Sequence, residues 1–467
     1  MNEIRRSHLL GAVVTLAAAL LTVQAQSPLG PTTQTARIVQ DYVYGFSPVA
    51  MEATRAILTA VPDNTTVPGI APINQFGYRT TLADPQERLI IRPNADTLYT
   101  SAWLDLDREP MILHVPDTAG RYYLMPMLDA YSNEFASIGA RTTGTGVGNY
   151  AIVGPDWRGT LPASVSGVVY APTNTVWIIG RTLVRGQADL QDAAAVTRQF
   201  LLIPLSAYPS FYQTGTYTPP TEVPVIPPNP DFVGFPVTNS PGFSKPEFFD
   251  VLAVYSLQNP PPRDEIGQAS TLVLDGFFHQ AQLNSNIVKQ ANDAFTSELP
   301  SLGVNENGWI LNTNGGNYGT DYLLRSTFTR FGFGTNIAED AVYPSANTDM
   351  TGTPLTGTKS YVIHFPPGQT PPAHGFWSIT VYNQEGFLVP NPIQRYDVGS
   401  ETGLTPNADG SIDIFVQNTP PATLDTNWLP TPTGPFELTL RVFWPDQSML
   451  RGAWMPPAIT PSIAALP

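Results

Sequence analysis

Short β-type runs separated by turn residues constrain the fold of this chain more than any other feature. Between residues 89 and 185 such runs recur at 98–106, 111–115, 122–128, 150–153, 167–170 and 176–183. Gly, Pro, Asp or Asn, which mark turns, bound each run. Similar runs return at 361–365, 375–382, 412–416 and 436–443. Turn signals at this spacing favour antiparallel sandwiches, so we expect a mainly β protein, although the pattern alone does not separate a sandwich from a barrel.

Helical periodicity appears before and between the β regions. Residues 37–61 place apolar side chains at helical spacing with an interruption at Ser47 and Pro48, which predicts one or two amphipathic helices. Residues 187–205 predict a short helix that Asp189 caps. Proline is frequent between 208 and 246, and helical spacing returns between 246 and 300. We therefore expect a proline-rich linker and a helical connector between two β domains.

The first 25 residues resemble a secretory leader. Arg5 and Arg6 precede an apolar run from Leu9 to about Val23, and a small residue, Ala25, ends the stretch. An uncleaved anchor is the alternative, but about 15 apolar residues fall short of the ~20 that span a bilayer. We expect cleavage, a periplasmic or secreted protein, and no integral membrane segment after cleavage. General secretion and twin-arginine export both stay open.

Charge and cysteine usage exclude several classes of function. The formal net charge is −15, with no cluster of Lys or Arg, so nucleic acid is not an expected partner. Cysteine is absent, which excludes disulfides, a thiol nucleophile and thiolate metal sites. The five histidines lack the close spacing of a metal motif, and no Gly-x-Ser-x-Gly elbow occurs. We expect no cofactor and no metal ion.

Ordered motifs in both β regions carry a family resemblance. The N-terminal set is Arg92-Pro93-Asn94-Ala95-Asp96-Thr97-Leu98-Tyr99, Gly120-Arg121-Tyr122-Tyr123, Leu128-Asp129-Ala130-Tyr131-Ser132-Asn133-Glu134-Phe135 and Gly139-Ala140-Arg141. The C-terminal set is Gly375-Phe376-Trp377-Ser378, Asn427-Trp428-Leu429-Pro430 and Leu440-Arg441-Val442-Phe443-Trp444-Pro445, preceded by Glu339-Asp340-Ala341-Val342-Tyr343-Pro344. The chain resembles a bacterial family with domain of unknown function 1254 followed by domain of unknown function 1214.

This resemblance implies an architecture but no accepted activity. It implies an N-terminal immunoglobulin-like sandwich, a helical connector and a C-terminal jelly-roll-like β-sandwich. We divide the chain into a signal peptide at 1–25, a helical and loop segment at 26–88, the first β domain at 89–205, a proline-rich linker with a helical insertion at 206–345, and the second β domain at 346–467.

Polar and aromatic residues crowd the N-terminal motifs and supply candidate site residues. The candidates for catalysis are Asp96, Asp129 and Glu134, and those for substrate binding are Asn94, Tyr99, Arg121, Tyr131, Asn133, Arg141, Trp377 and Arg441. In a functional interpretation, two carboxyl groups act as an acid/base pair while arginines and aromatic rings hold a hydroxylated substrate. In a structural interpretation, the same groups cap turns and pair beneath the sheets.

Two functions follow from these alternatives. One is an exported hydrolase that acts on glycans or another hydroxylated substrate, and the other is a non-catalytic exported protein that binds a ligand or serves a structural role. The partners expected are a carbohydrate or small-molecule ligand, and the oligomeric state, a homo-oligomer included, stays open. The two functions differ in whether the candidate carboxyl groups and arginines converge in one cleft that solvent can enter.

Overall fold

A computed structural model describes residues 33–88, 91–261, 265–421 and 426–462. Its helices are α1 (Gln34–Leu58), α2 (Leu190–Thr197), α3 (Tyr208–Thr214), α4 (Glu247–Gln258), α5 (Ile266–His279), α6 (Ser285–Glu298), α7 (Tyr322–Phe331) and α8 (Gln447–Leu450). Short 3₁₀ turns occupy Gln187–Asp189, Pro230–Phe232, Val237–Asn239, Pro241–Ser244, Gln280–Gln282 and Leu299–Ser301. The predicted leader at 1–25 lies outside the described residues.

Twenty strands form four open sheets within the described residues. The strands before the connector are β1 (Gly77–Tyr78), β2 (Thr97–Asp105), β3 (Met111–Val115), β4 (Tyr123–Leu128), β5 (Glu134–Gly139), β6 (Gly148–Val153), β7 (Gly167–Tyr170), β8 (Thr175–Leu183) and β9 (Leu201–Pro204). The later strands are β10 (Val304–Glu306), β11 (Trp309–Leu311), β12 (Ala341–Val342), β13 (Ser345–Ala346), β14 (Ser360–Phe365), β15 (Ala373–Tyr382), β16 (Asp397–Gly399), β17 (Ile412–Gln417), β18 (Trp428–Pro430), β19 (Glu437–Pro445) and β20 (Ile459–Ser462).

The first sandwich packs a five-stranded sheet on a four-stranded sheet. The strand orders are β1-β2-β8-β4-β5 and β7-β6-β3-β9, antiparallel except for the parallel pair β6 and β7. Alternate side chains of both sheets, such as Leu104, Leu113 and Met127, fill the space between them. The outer face of β2 and β8 is also buried, because it lies beneath the helices. On this face Trp103 and Trp177 lie opposite each other and stack, with 4.8 Å between their ring centres.

The helices form a unit that covers this outer face. Helix α1 contacts α4, α5, α6 and α7, and every residue from 41 to 51 is buried. The helix runs through Pro48 without a break, where the sequence predicted an interruption. An internal proline costs a helix about 3 kcal/mol, and packing on all sides offsets that cost here.

The second sandwich contains the remaining two sheets. One has the order β10-β11-β13-β19-β15-β16 with β12 also paired to β19, and the other has the order β18-β17-β14-β20. Trp377, Ile379 and Leu440 point from the larger sheet into the apolar core between the sheets. The opposite face of β15 and β19 is turned toward the first sandwich, and it carries the polar residues Ser378 and Arg441, which are buried.

The structure confirms a mainly β protein with helices between the β regions. The sheets are open, and the immunoglobulin-like and jelly-roll assignments stay hypotheses. The predicted helix at 187–205 is shorter, because α2 ends at Thr197 and Leu201–Pro204 forms β9 against β3. Asp189 does not cap α2 through its side chain. Its carboxylate binds Arg121 instead.

No helix in the described part of the chain combines the length and the apolar character needed to cross a membrane.

Candidate functional site

A cleft of about 970 Å³ lies where the first sandwich, the connector and the second sandwich meet. Strand β5 forms one wall, residues from 313–324 form the opposite wall, and residues 337–339 close the end next to β12. Glu134 and Arg141 are two of the predicted site residues that line it. A concave space of this size with converging polar groups is the usual form of a small-molecule site.

A pair of carboxyl groups stands at the edge of the cleft. Glu134 lines the cleft although its side chain is almost fully buried, and Asp340 is buried behind it. Burial, and then the charge of the neighbouring Asp340, raises the pKa of Glu134 well above its ordinary value.

Other groups of both sandwiches fix this pair. Arg141 Nε donates to Asp340 Oδ1 at 2.6 Å, and this hydrogen bond is the main reason that the pKa of Arg141 is raised. Glu134 Oε2 accepts from the backbone N–H of Ile337 at 2.9 Å and from Asn336 Nδ2 at 3.1 Å. Oε1 of Glu134 receives no donor from the described residues. The arrangement therefore holds one carboxyl oxygen firmly, and the other is buried in the wall of the cleft.

The backbone of Gly316 brings the connector close to this pair. Glu134 N–H donates to the Gly316 carbonyl at 2.6 Å. Gly316 has φ +89°, and a Cβ atom at this position would lie 2.4 Å from the backbone nitrogen of Ile337. Only glycine adopts this conformation without strain and leaves space for the Ile337 N–H that holds Glu134.

A second polar group lies between the sandwiches, around Asp96 and Arg441. Ser378 Oγ donates to Asp96 Oδ2 at 2.5 Å. Arg441 donates to Thr380 Oγ1 at 2.9 Å, to the Arg92 carbonyl at 2.7 Å and to Tyr382 Oη at 2.6 Å. These bonds join the N-terminal motif to the buried polar face of β15 and β19.

Asp96 and Asp397 form a second pair of interacting carboxyl groups in this region. Burial raises the pKa of Asp96. Burial, and then the charge of Asp96, raises the pKa of Asp397 to about 7. Tyr343 Oη donates to Asn336 Oδ1 at 2.7 Å, and burial raises the pKa of Tyr343 to about 12.

Two further N-terminal candidates belong to this second group. Tyr99 Oη accepts from the backbone N–H of Asn94 at 3.0 Å, and Asn94 Nδ2 donates to Thr97 Oγ1 at 2.8 Å. The Arg181 guanidinium lies 5.9 Å from the centre of the Tyr99 ring. Asn94 and Tyr99 therefore brace the start of β2 next to Asp96, and neither lines the cleft.

Asp129, Tyr131 and Asn133 shape the turn between β4 and β5. Asp129 Oδ1 accepts from the backbone N–H groups of Tyr131 and Asn133, at 2.8 and 2.9 Å. Tyr131 Oη donates to the Asn259 carbonyl at 2.8 Å, which joins the turn to the helical unit. Asn133 Oδ1 accepts from the N–H of Tyr318, a residue of the cleft wall. These three residues therefore position the wall rather than line the cleft.

Arg121 and Trp377 lie away from the cleft. Arg121 pairs with Asp189 and donates to the Leu183 carbonyl at 2.8 Å. Trp377 is buried in the core of the second sandwich. Of the eleven candidates, Glu134 and Arg141 thus meet at the cleft, while Asn94, Asp96, Tyr99 and Arg441 meet in the second polar group.

The sequence did not single out Asp340, Asn336, Asp397 or Tyr318 for chemistry. Asp340 stands within a motif that supported the family resemblance, which was the only signal for it. In the described ranges, no three His, Cys, Asp or Glu side chains are grouped closely enough to hold a metal ion.

The fold and the cleft define a class of two-sandwich β protein with a helical unit between its β regions. Two family models match the chain, one over each β region. Residues 73–204 match a protein of unknown function (DUF1254), and residues 340–447 match a protein of unknown function (DUF1214). The chain belongs to the family that carries these two domains in this order, which confirms the resemblance seen in the sequence.

The first of two similar solved structures supports the fold, and neither adds an activity. The VPA0106 protein from Vibrio parahaemolyticus is 24% identical, with a TM-score of 0.67 over 92% of this chain and 100% of that chain. An uncharacterized protein from Burkholderia cenocepacia is 15% identical, with a TM-score of 0.43 over 98% of this chain and 95% of that chain. None of the curated proteins matches this chain.

Proposed function

We propose that this protein is a hydrolase that performs acid–base chemistry on a hydroxylated substrate in the cleft between the sandwiches. The observation that carries the proposal is the Glu134–Asp340 pair, in which two buried carboxyl groups are neighbours at the edge of a 970 Å³ cleft. A carboxyl group with a raised pKa, such as that of Glu134, is suited to exchange protons with a substrate.

The closeness of the two carboxyl groups favours one type of hydrolysis over another. Glycosidases that use two carboxyl groups keep them about 5–5.5 Å or about 6.5–9.5 Å apart. Glu134 and Asp340 interact directly through their charges, as do the two carboxyl groups that activate water in aspartic proteases. The geometry therefore supports cleavage of an ester or amide bond on a glycan or another hydroxylated molecule better than cleavage of the glycosidic bond itself.

The proposed reaction balances with water as the only co-reactant. The ionised member of the pair takes a proton from a water molecule, whose oxygen adds to the acyl carbon. The protonated member supplies a proton to the acyl oxygen. When the intermediate collapses, the first member gives its proton to the leaving alcohol or amine, and the acyl hydroxyl returns a proton to the second member. Glu134 is the member that lines the cleft, so we assign it the contact with water and substrate.

Substrate binding in this proposal uses the polar walls of the cleft. Ser137, Thr142, Thr313, Asn314 and Asn317 offer hydroxyl and amide groups to a polyol. Phe135 and Tyr318 offer aromatic surface that suits the C–H face of a sugar ring.

The test measures acetate release and new reducing ends from O-acetylated, N-acetylated and unmodified oligosaccharides. In Glu134→Gln the amide keeps the shape of the side chain but transfers no proton. We expect acetate release to fall by about 10²–10⁴-fold with an unchanged melting temperature. Asp340→Asn makes the matching change in the second carboxyl group of the pair. Full activity in a folded Glu134→Gln variant would refute the assignment.

The burial of the pair favours a second candidate, a non-catalytic binding protein. Glu134 is 2% exposed and Asp340 is fully buried, and the hydrogen bonds of Glu134 to Asn336 and Ile337 join distant segments of the chain. This candidate predicts that oligosaccharides raise the melting temperature of the wild type while no substrate is turned over, and that Glu134→Gln binds them equally well.

Location, assembly and sandwich types are separate proposals. Cleavage after residue 25 and a periplasmic or secreted location rest on the leader-like sequence, and mass spectrometry of the mature N-terminus tests them. A homo-oligomer is tested by light scattering. The face-to-face packing of the sheets supports the immunoglobulin-like and jelly-roll assignments.

A further inference from the structure

The outer face of β2 and β8 contains a narrow space that water can enter. Residues that lie opposite each other on the two strands, Tyr99 with Arg181 and Ser101 with Ile179, point to this face next to Trp177. Ser101 is half-buried, and each of the other four side chains keeps 8–9% of its surface exposed. We call the space above these five residues the β8 slot.

The β8 slot is bounded on several sides. Thr97, Trp103 and Leu183, which belong to the same face, are only 1–2% exposed, so the slot ends where they begin. The segment that follows α7 covers it, since the ring centre of Phe333 lies 5.3 Å from that of Trp177. None of the five slot residues lines the cleft. The slot is therefore a second concave space, separate from the cleft.

Arg181 brings a buried cation without a charged partner to this slot. Its Nη1 donates to the Ile179 carbonyl at 2.8 Å, and its guanidinium lies 5.9 Å from the centre of the Tyr99 ring. It forms no ion pair with any residue in the described ranges. Nη2 donates to none of these residues either, and unlike Nε it is not an enclosed atom. Because an unpaired buried cation is strongly unfavourable, an anion that reached Nη2 would complete the site.

Ser101 offers a second donor close to Arg181. Its Oγ accepts from Trp177 Nε1 at 3.1 Å, and its own hydroxyl proton has no acceptor in the described part of the chain. Ser101 lies opposite Ile179, which makes it the diagonal neighbour of Arg181 on the same face. Diagonal neighbours are about 7–8 Å apart, a span that a carboxylate with one hydrogen bond from each side can bridge.

We propose that the β8 slot binds the carboxylate of a small organic acid whose body is apolar. Arg181 Nη2 and the Ser101 hydroxyl donate to the two carboxylate oxygens. The rings of Tyr99 and Trp177 and the side chain of Ile179 contact the apolar body. Phosphate fits less well, because two donors leave most of its oxygens unpaired beside apolar walls. This binding site does not depend on the proposed function of the cleft.

Calorimetry on the full chain at pH 7 tests the proposal with two matched pairs of probes. The pairs are benzoate with benzamide and hexanoate with hexanamide, in which the acid and the amide share a shape and differ in charge. At least one acid should bind saturably and at least about tenfold tighter than its amide, with inorganic phosphate weaker than that acid. The proposal is overturned if neither acid binds, if neither is preferred to its amide, or if phosphate binds more tightly than both.

Variants assign the preferred acid to the slot. Arg181→Met should weaken its binding by at least about tenfold, to the affinity of the amide. Without ligand this variant should melt no lower than the wild type, because methionine removes an unpaired buried charge. Ser101→Ala should weaken the acid by about fivefold. Arg185→Met, which removes a more exposed arginine paired with Glu401, is the control and should keep the wild-type affinity.

The remaining outcomes also decide the proposal. Wild-type affinity for the acid in Arg181→Met overturns it, and a lower melting temperature with that affinity gives Arg181 a structural role instead. If Arg181→Met does not fold, Ser101→Ala decides, and an unchanged affinity then overturns the proposal. Glu134→Gln changes only the cleft and should bind the acid like the wild type. A loss of binding in that variant would place the acid in the cleft and overturn the slot.

Discussion

Arg121 and Asp189 form a two-pronged ion pair, in which Nη1 and Nη2 of the arginine lie 2.5 and 2.7 Å from the two carboxylate oxygens. Arg121 precedes β4, and Asp189 precedes α2. Both side chains are largely buried, and the arginine also binds the Leu183 carbonyl at the end of β8. The pair therefore ties α2 to the edge of the first sandwich.

We predict that Arg121→Ala lowers the free energy of unfolding by about 1–3 kcal/mol at pH 7 without changing ligand affinity. The hydrogen bond from Arg121 holds the pKa of Asp189 below its ordinary value. The stabilisation is therefore present above the unfolded-state pKa of about 4 and is lost as the pH falls through the folded-state pKa. Urea unfolding of the wild type and Arg121→Ala at pH 7 and pH 3 measures this loss of unfolding free energy. Arg185→Ala, which breaks the more exposed pair with Glu401, should cost less than about 1 kcal/mol. An equal loss in both variants would contradict the prediction.

Asp41 predicts a pH dependence of stability with the opposite sign. This buried carboxyl of α1 has its pKa raised to about 8, first by burial and then by Asp275, while Arg37 acts against the shift. The folded protein keeps the proton that the unfolded chain releases near pH 4. The contribution of Asp41 to the free energy of unfolding should therefore fall by about 1.4 kcal/mol for each pH unit between about pH 4 and pH 8. Above pH 8 this contribution should change no further. Urea unfolding across this range should show a flatter profile for Asp41→Asn. Parallel stability profiles for the wild type and Asp41→Asn would refute the assignment of this pH dependence to Asp41.

Gly316 and Gly319 offer a matched test of close packing at the cleft. Both have positive φ, but a Cβ at Gly319 meets nothing within 4 Å, whereas at Gly316 it meets the backbone of Asn336 and Ile337. We expect Gly319→Ala to cost about 1 kcal/mol from backbone strain. Gly316→Ala should cost several kcal/mol and weaken ligand binding as well. Thermal unfolding and calorimetry check both, and equal costs would exclude the steric explanation.

Arg441 tests the buried polar face between the sandwiches. Arg441→Met removes the cation beside Asp96 together with three hydrogen bonds, so we expect a loss of about 3–5 kcal/mol. The double variant Asp96→Asn with Arg441→Met should recover part of this loss, because it no longer buries a carboxylate without its cation. A double variant that loses the sum of both single changes would show that the two residues act independently.

Local patterns predicted most strands because burial follows the alternation of side chains. The runs at 111–115 and 167–170 coincide with β3 and β7. Strand β5 was missed because its sequence begins with Glu134, a carboxyl that reads as a turn or site residue until its partners Asn336 and Asp340 are known. Pro48 predicted a break in α1, since local rules carry no information about the helices that enclose it.

The candidate site shows the same contrast between local patterns and long-range contacts. The crowding of polar residues in the N-terminal motifs indicated Glu134 and Arg141. It did not indicate that Asp340, 206 residues after Glu134, would join them. Asp129 carried the same signal as Glu134, yet it satisfies its own turn. Contacts between distant segments decide which carboxyl lines the cleft, and a local motif does not contain them.

The enclosure of α1 also sets the order in which this chain can fold. Roughly 190 residues separate the end of α1 from the start of α4, the first of the four helices that surround it. At about 5–20 residues per second, that interval takes roughly 10–40 s of synthesis. Helix α1 thus waits for these later helices before its apolar surface is covered, and for that time it is open to chaperones that hold a chain unfolded.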